Sequence, residues 1–176
     1  MTLLEFLLTN KDNRGVLAAL RKGLVPTTEP RAWPYLAPFE GIGQDRKARA
    51  VRTVAGLFAH HPENCADGNM GDTCRDLCNV NEEKPWKVTE NVNGNEKPEP
   101  PGPIARKFGW MLEAVDAEEI CKRVARMVLY ARSKGVPVNY EQLEKDLIAW
   151  PRAREAWARH FWATQQAERA DGEAVS

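Results

Sequence analysis

The chain has 176 residues, carries 25 Lys/Arg against 25 Asp/Glu and is 43% hydrophobic with six Trp, enough for one domain or two small ones with a real core. A mean hydropathy of −0.55 and the lack of any long apolar run argue against a membrane span. The N-terminal MTLLEFLLTN has no basic region, and its apolar run is too short for a signal peptide. The expected compartment is the cytoplasm, where Cys65, Cys74, Cys78 and Cys121 read as reduced thiols and not as a disulfide framework.

The zero net charge conceals an uneven distribution. Residues 1–62 hold nine Lys/Arg against five Asp/Glu, residues 63–102 four against nine, and residues 103–160 eleven against eight. Two basic blocks flank an acidic middle. A phosphate responds to a local patch and not to the total, so a neutral chain can still bind nucleic acid.

In chain order, residues 2–9 form a short amphipathic helix on Leu3, Leu4, Phe6, Leu7 and Leu8. Asp12 or Asn13 caps a second, running to about Lys22, with Gly23 as its stop. In residues 26–43, Pro30, Pro34 and Pro38 prevent a long helix. Trp33, Tyr35, Leu36 and Phe39 are expected to lie as a wrap in the core. Asp45–His60 reads as a helix with Ala50, Val51, Val54, Leu57 and Phe58 inward, and with Arg46, Lys47, Arg49 and Arg52 outside. A short helix is expected from about Asp72 to Asn79. Residues 80–103, rich in Asn, Glu and Pro, read as an acidic linker or surface insertion. Gly102-Pro103 opens a helix to about Ala114, with Arg106 and Lys107 polar.

Asp116 caps the helix on which the functional question turns. Ile120, Val124, Met127, Val128 and Ala131 recur at helical spacing as an apolar stripe. Arg123, Arg126, Tyr130 and Lys134 recur at i, i+3, i+7 and i+11, a second stripe roughly 100° away. One face can pack a core while the other offers cations to a polyanion. After Gly135-Val136-Pro137, Asn139 caps a further helix. Pro151 is expected in the first turn of the last one, which carries Trp157, Phe161 and Trp162. Residues 165–176 are expected to fray. With no strand-like alternation anywhere, the fold class is all-α: two small helical bundles, 1–79 and 104–176, joined by 80–103.

Catalytic patterns are missing: the sequence has no G-x-S-x-G, P-loop, H-E-x-x-H or G-x-G-x-x-G, and the reading is a non-enzyme without cofactor. The nearest approach to a metal set is His60 or His61 with Cys65, Cys74 and Cys78. The last two are i, i+4 on one helix face, and the four would be soft ligands suited to zinc. Their spacing matches no usual zinc ribbon or finger, and cysteines also serve as small buried hydrophobes, which is the preferred reading.

Several segments, in order, resemble one family. They are ALRKGL (Ala19–Leu24), RAWPYLAPF (Arg31–Phe39), LFAHHP (Leu57–Pro62), NMGDTCRDL (Asn69–Leu77), RSKGVPVNYEQLEKDLIAW (Arg132–Trp150) and WARHFW (Trp157–Trp162). The chain resembles the CasB family, the small subunit of the type I-E CRISPR surveillance complex Cascade. The resemblance implies an all-helical, non-catalytic subunit that lies as a dimer along the complex. There it contacts the CRISPR RNA–target DNA region and the displaced strand through basic residues. Carried over by position, these are Arg21 and Lys22, Arg106 and Lys107, and Arg123 and Arg126. Helix spacing adds Lys47, Arg49, Arg52 and Lys134. Two departures stand out: Arg75 is followed by Asp76, and the 80–103 insertion is long and acidic. The rival reading is a scaffold subunit whose basic patches bind acidic neighbouring subunits. A free-standing DNA-binding regulator is a poorer fit, because the helix after Gly135-Val136-Pro137 carries Glu141, Glu144 and Asp146 and suits no major groove.

Overall fold

In the computed structural model, residues 1–85 and 100–162 are described. The helices follow the caps. Thr2 and Glu5 form a reciprocal capping box that opens α1 (Leu3–Thr9), satisfying two backbone donors that a helix start leaves bare. Asn13 accepts from Val16 N and opens α2 (Arg14–Lys22), which ends at Gly23. The prolines break the next stretch into 3₁₀ turns at Glu29–Arg31 and Ala37–Phe39 around a single helical turn, α3 (Trp33–Leu36). Leu36 is buried, and Phe39 packs on Phe6 with ring centroids 5.3 Å apart. Trp33, Tyr35 and Phe39 are half-buried, so the wrap lies on the core with only Leu36 of the expected four inside it.

Asp45 caps α4 (Arg46–His60) by accepting from Ala48 N. α5 (Met70–Val80) starts earlier than the expected Asp72, because Asn69 is its cap and Asp72 closes the capping box back onto Asn69 N. α6 (Pro103–Leu112) begins with Pro103 at its first turn, and its Gly102 cap has no side chain to offer. Glu83, across the chain segment before it, accepts from Ile104 N and Ala105 N at 3.1 and 3.0 Å. A carboxylate at a helix N-terminus is favoured both as acceptor and against the dipole. α7 (Ala117–Lys134) is capped by Asp116 and ends at Gly135 with φ 66°. α8 (Tyr140–Ile148) is capped by Asn139. α9 is Arg154–Trp162; Pro151 lies in the turn before it, after a cis Trp150–Pro151 bond, and not in its first turn. The expected linker falls outside the described residues at 86–99, as does the expected C-terminal fraying at 165–176.

Among the described residues there is no strand, only an isolated bridge between Asn64 and Val138, so the all-α expectation holds. α4 is the central helix. It packs on α2, α7 and α8, and every residue from Ala50 to Ala59 is buried. α5 packs on α9 and α6, and α7 touches both groups. One continuous core runs from Leu3 to Phe161. The helices thus sort into two packing groups around α7. Chain on both sides of 80–103 contributes to this core.

The burial of α4 corrects one expectation. Arg52, placed outside by helical spacing, is 3% exposed. Its guanidinium donates to the Gly41 and Gly43 carbonyls at 2.9 and 2.6 Å. It also pairs with Glu29 at 3.5 Å. The physical reason is that the Pro/Gly-rich wrap passes over this flank of α4 and leaves carbonyls that need a donor. Arg52 holds the wrap in place and is not available to a ligand.

Candidate nucleic-acid interface

The second stripe of α7 faces α6. Gly102-Pro103 sets the start of α6, and Glu83 fixes its first turn. Arg106, Lys107 and Trp110 thereby lie on its outer side, with Ile104, Phe108 and Met111 turned into the core. Trp110 was not singled out by the sequence pattern, yet it stands at the centre of the site. It is 42% exposed. The Arg123 guanidinium lies over its ring at 4.1 Å from the centroid, and Arg126 at 5.5 Å. One helical turn further along, Lys107 and Lys134 approach the Tyr130 ring at 5.0 and 5.8 Å. Asn81 donates to the Tyr130 hydroxyl at 2.7 Å. Between the two helices is a groove of about 360 Å³, lined by Lys107, Trp110, Arg123, Arg126, Met127 and Tyr130.

The members of this stripe differ in role. Arg123, expected as a phosphate contact, has a side chain only 11% exposed. It donates to the Trp110 carbonyl and to the Glu119 carboxylate. A guanidinium held this way stacks on an aromatic face and orients it. Lys107, Arg126 and Lys134 remain exposed at the rim, and Arg106 is exposed on the outer side of α6.

The first basic block is arranged differently. Lys47 pairs with Glu40 at 2.8 Å, and Arg49 reaches Glu118 of α7 at 3.9 Å and Gln44 at 3.4 Å. Arg21 donates to Ala59 O at 2.9 Å, closing the end of α4, and stays exposed beside Lys22. Burial, then the nearby charges of Arg21 and Arg132, hold the His60 imidazole below its usual range. Arg75 pairs with Asp72 at 3.2 Å and donates to His160 O at 3.2 Å, so its ion-pair partner is Asp72, one turn back, and not the Asp76 that follows it in the sequence.

The alternative zinc set is not assembled. Among the described residues no three His, Cys, Asp or Glu converge as metal ligands. His61 Nε2 meets Val136 O at 2.7 Å. Cys74 and Cys78 share one face of α5 but point into the core. Burial raises the Cys74 thiol well above its usual range, and burial, then Glu83, pushes Cys78 up to about 12. Thiols so placed resist the deprotonation that a metal requires. Among the described residues no helix is long and apolar enough to cross a membrane.

The same arrangement of helices recurs in solved structures. A CRISPR-associated protein of the Cse2 family from Thermus thermophilus is 20% identical, with 92% of this chain and 96% of that chain covered and a TM-score of 0.67. CasB from Thermobifida fusca is 18% identical over 90% of this chain and 94% of that one, with a TM-score of 0.59. A chain of a CRISPR RNA-guided surveillance complex is 16% identical over 97% and 93%, with a TM-score of 0.65. These likenesses show the fold. Among curated proteins, none matches significantly. The family model for the CRISPR-associated protein Cse2 matches residues 16–162, which takes in α4 through α9 and nearly all of α2, and the chain therefore belongs to the CRISPR-associated Cse2 family.

Proposed function

We propose that this chain is a non-catalytic small subunit of a CRISPR RNA-guided surveillance complex of the Cascade kind. Its role in that complex is to steady the open target through backbone contacts. One observation carries the reading: α6 and α7 bring Lys107, Arg126 and Lys134 to the rim of one groove beside exposed Trp110. Cations on a rigid surface contact phosphates without reading sequence. Exchanging a DNA duplex for an RNA–DNA heteroduplex is nearly balanced in free energy, so modest backbone contacts can tip it. The partners on this reading are the other subunits of the complex, a second copy of this chain, the CRISPR RNA, and both DNA strands. Working beside that RNA and DNA, the subunit would act in the cytoplasm.

The scaffold reading draws on the first basic block, where Lys47 and Arg49 already meet carboxylates and behave as protein-facing cations. A photo-crosslinking side chain at position 126, in the complex assembled on target DNA, separates the two. Adducts to RNA or DNA are the expected result. Adducts to protein alone would sink the nucleic-acid reading.

A further inference from the structure

We infer that the α6–α7 groove takes an unpaired nucleobase, stacked on Trp110, with the flanking phosphates on Lys107, Arg126 and Lys134. This rests on the nucleic-acid reading above and sharpens it from backbone contact to the stacking of an unpaired base. Three observations converge on it. Trp110 is the most exposed tryptophan among the described residues, at 42%, while Trp150 and Trp157 are fully buried. An exposed indole is ordinarily free to reorient, but here Arg123 clamps it from one side and is itself held by Glu119 and by the Trp110 carbonyl. An aromatic surface fixed in advance loses little entropy when a ligand stacks on it.

The groove volume of about 360 Å³ lies within the ~300–1,000 Å³ range of small-ligand sites. Its chemistry is one-sided: aromatic faces at Trp110 and Tyr130, cations at Lys107 and Arg126 with Lys134 just beyond them beside Tyr130, and the neighbouring Glu119 occupied by Arg123. A flat π-system joined to an anion on either side meets all of these demands. A base inside a duplex has no free face to offer, so the groove favours single strands. Base–aromatic stacking tolerates any sequence because every base has a π-face.

The test uses the full chain with a labelled thymidine 15-mer and an abasic 15-mer of the same backbone. A uridine 15-mer serves as the RNA counterpart, and a poly-glutamate peptide as competitor. The native chain should bind the base-bearing oligomers on the order of tenfold tighter than the abasic one. Trp110→Ala should erase that difference, Trp110→Phe should keep most of it, and Arg126→Ala should weaken all the oligomers alike. Base dependence in either the DNA or the RNA series supports the inference. Equal binding of base-bearing and abasic oligomers, or a difference that survives Trp110→Ala, overturns base capture and leaves phosphate contact standing. Poly-glutamate competing as well as thymidine 15-mer assigns the groove to an acidic peptide and overturns it too. Failure of every oligomer to bind removes the underlying reading as well.

Discussion

Arg52→Ala is expected to destabilise the fold by about 3–5 kcal/mol, the range for breaking a buried charged pair by removing one partner. For a chain of this size each kcal/mol lowers Tm by about 2–4 °C, so a fall of about 10 °C should be seen by calorimetry. The change strands two carbonyls, Gly41 O and Gly43 O, and leaves the Glu29 carboxylate, whose side chain is only 12% exposed, with Gln44 as its remaining donor. Arg52→Lys should recover little of the loss, because one ammonium cannot reproduce a fork that serves three acceptors. A surface phosphate contact would behave in the opposite way, with Tm unchanged and binding lost. An unchanged Tm would show that the wrap does not depend on this residue.

Gly71→Ala is the second large effect, and its sign is the informative part. A glycine early in a helix would ordinarily gain up to about 1 kcal/mol on becoming alanine. At Gly71 the added methyl would overlap the Trp157 carbonyl oxygen, where α5 and α9 touch backbone to backbone. Backbone cannot rotate away as a side-chain tip can. The helices must separate, at a cost near the upper end of the ~1–3 kcal/mol seen for overpacking. Gly109, on α6, has nothing within 4 Å of the same added methyl. Gly109→Ala is therefore the control, neutral or slightly stabilising in the same denaturation experiment. Equal behaviour of the two variants would mean that α5 and α9 can move apart freely.

Local signals made most of the helices legible. Asn13, Asp45, Asp116 and Asn139 each accept the backbone hydrogen bond that their place before an apolar repeat predicts. The buried stripe of α7, Ile120 to Ala131, is the stripe that periodicity picks out. What sequence spacing could not carry was enclosure. Helical spacing assigns Arg52 a flank of α4 but cannot tell that a proline-broken segment, distant along the chain, covers that flank. The same blindness applies to Glu83, which caps α6 from 21 residues away, and to Gly71, whose meaning lies in the neighbour it lets approach.

At the candidate site, the cations of α7 were visible as a stripe, but the partition among them was not. Arg123 and Arg126 are three residues apart and chemically alike. One is clamped on Trp110 with Glu119, and the other is exposed at the rim. Trp110 itself has one usable signal in hindsight. On α6 it falls outside the buried set of Ile104, Phe108 and Met111, and a large aromatic off the apolar face is a reason to look for a ligand.

The central claim is that the rim cations of the α6–α7 groove meet phosphates. The most direct measurement is the salt dependence of target-DNA affinity. It would compare the complex built with the native chain and the complex built with the Lys107→Ala, Arg126→Ala, Lys134→Ala variant. All three side chains are exposed, so Tm should hold. Each lost phosphate contact removes about 0.7–0.9 from the slope of log affinity against log salt. The account predicts weaker binding with a slope shallower by about 2–3. An unchanged slope, with the complex intact, would contradict it.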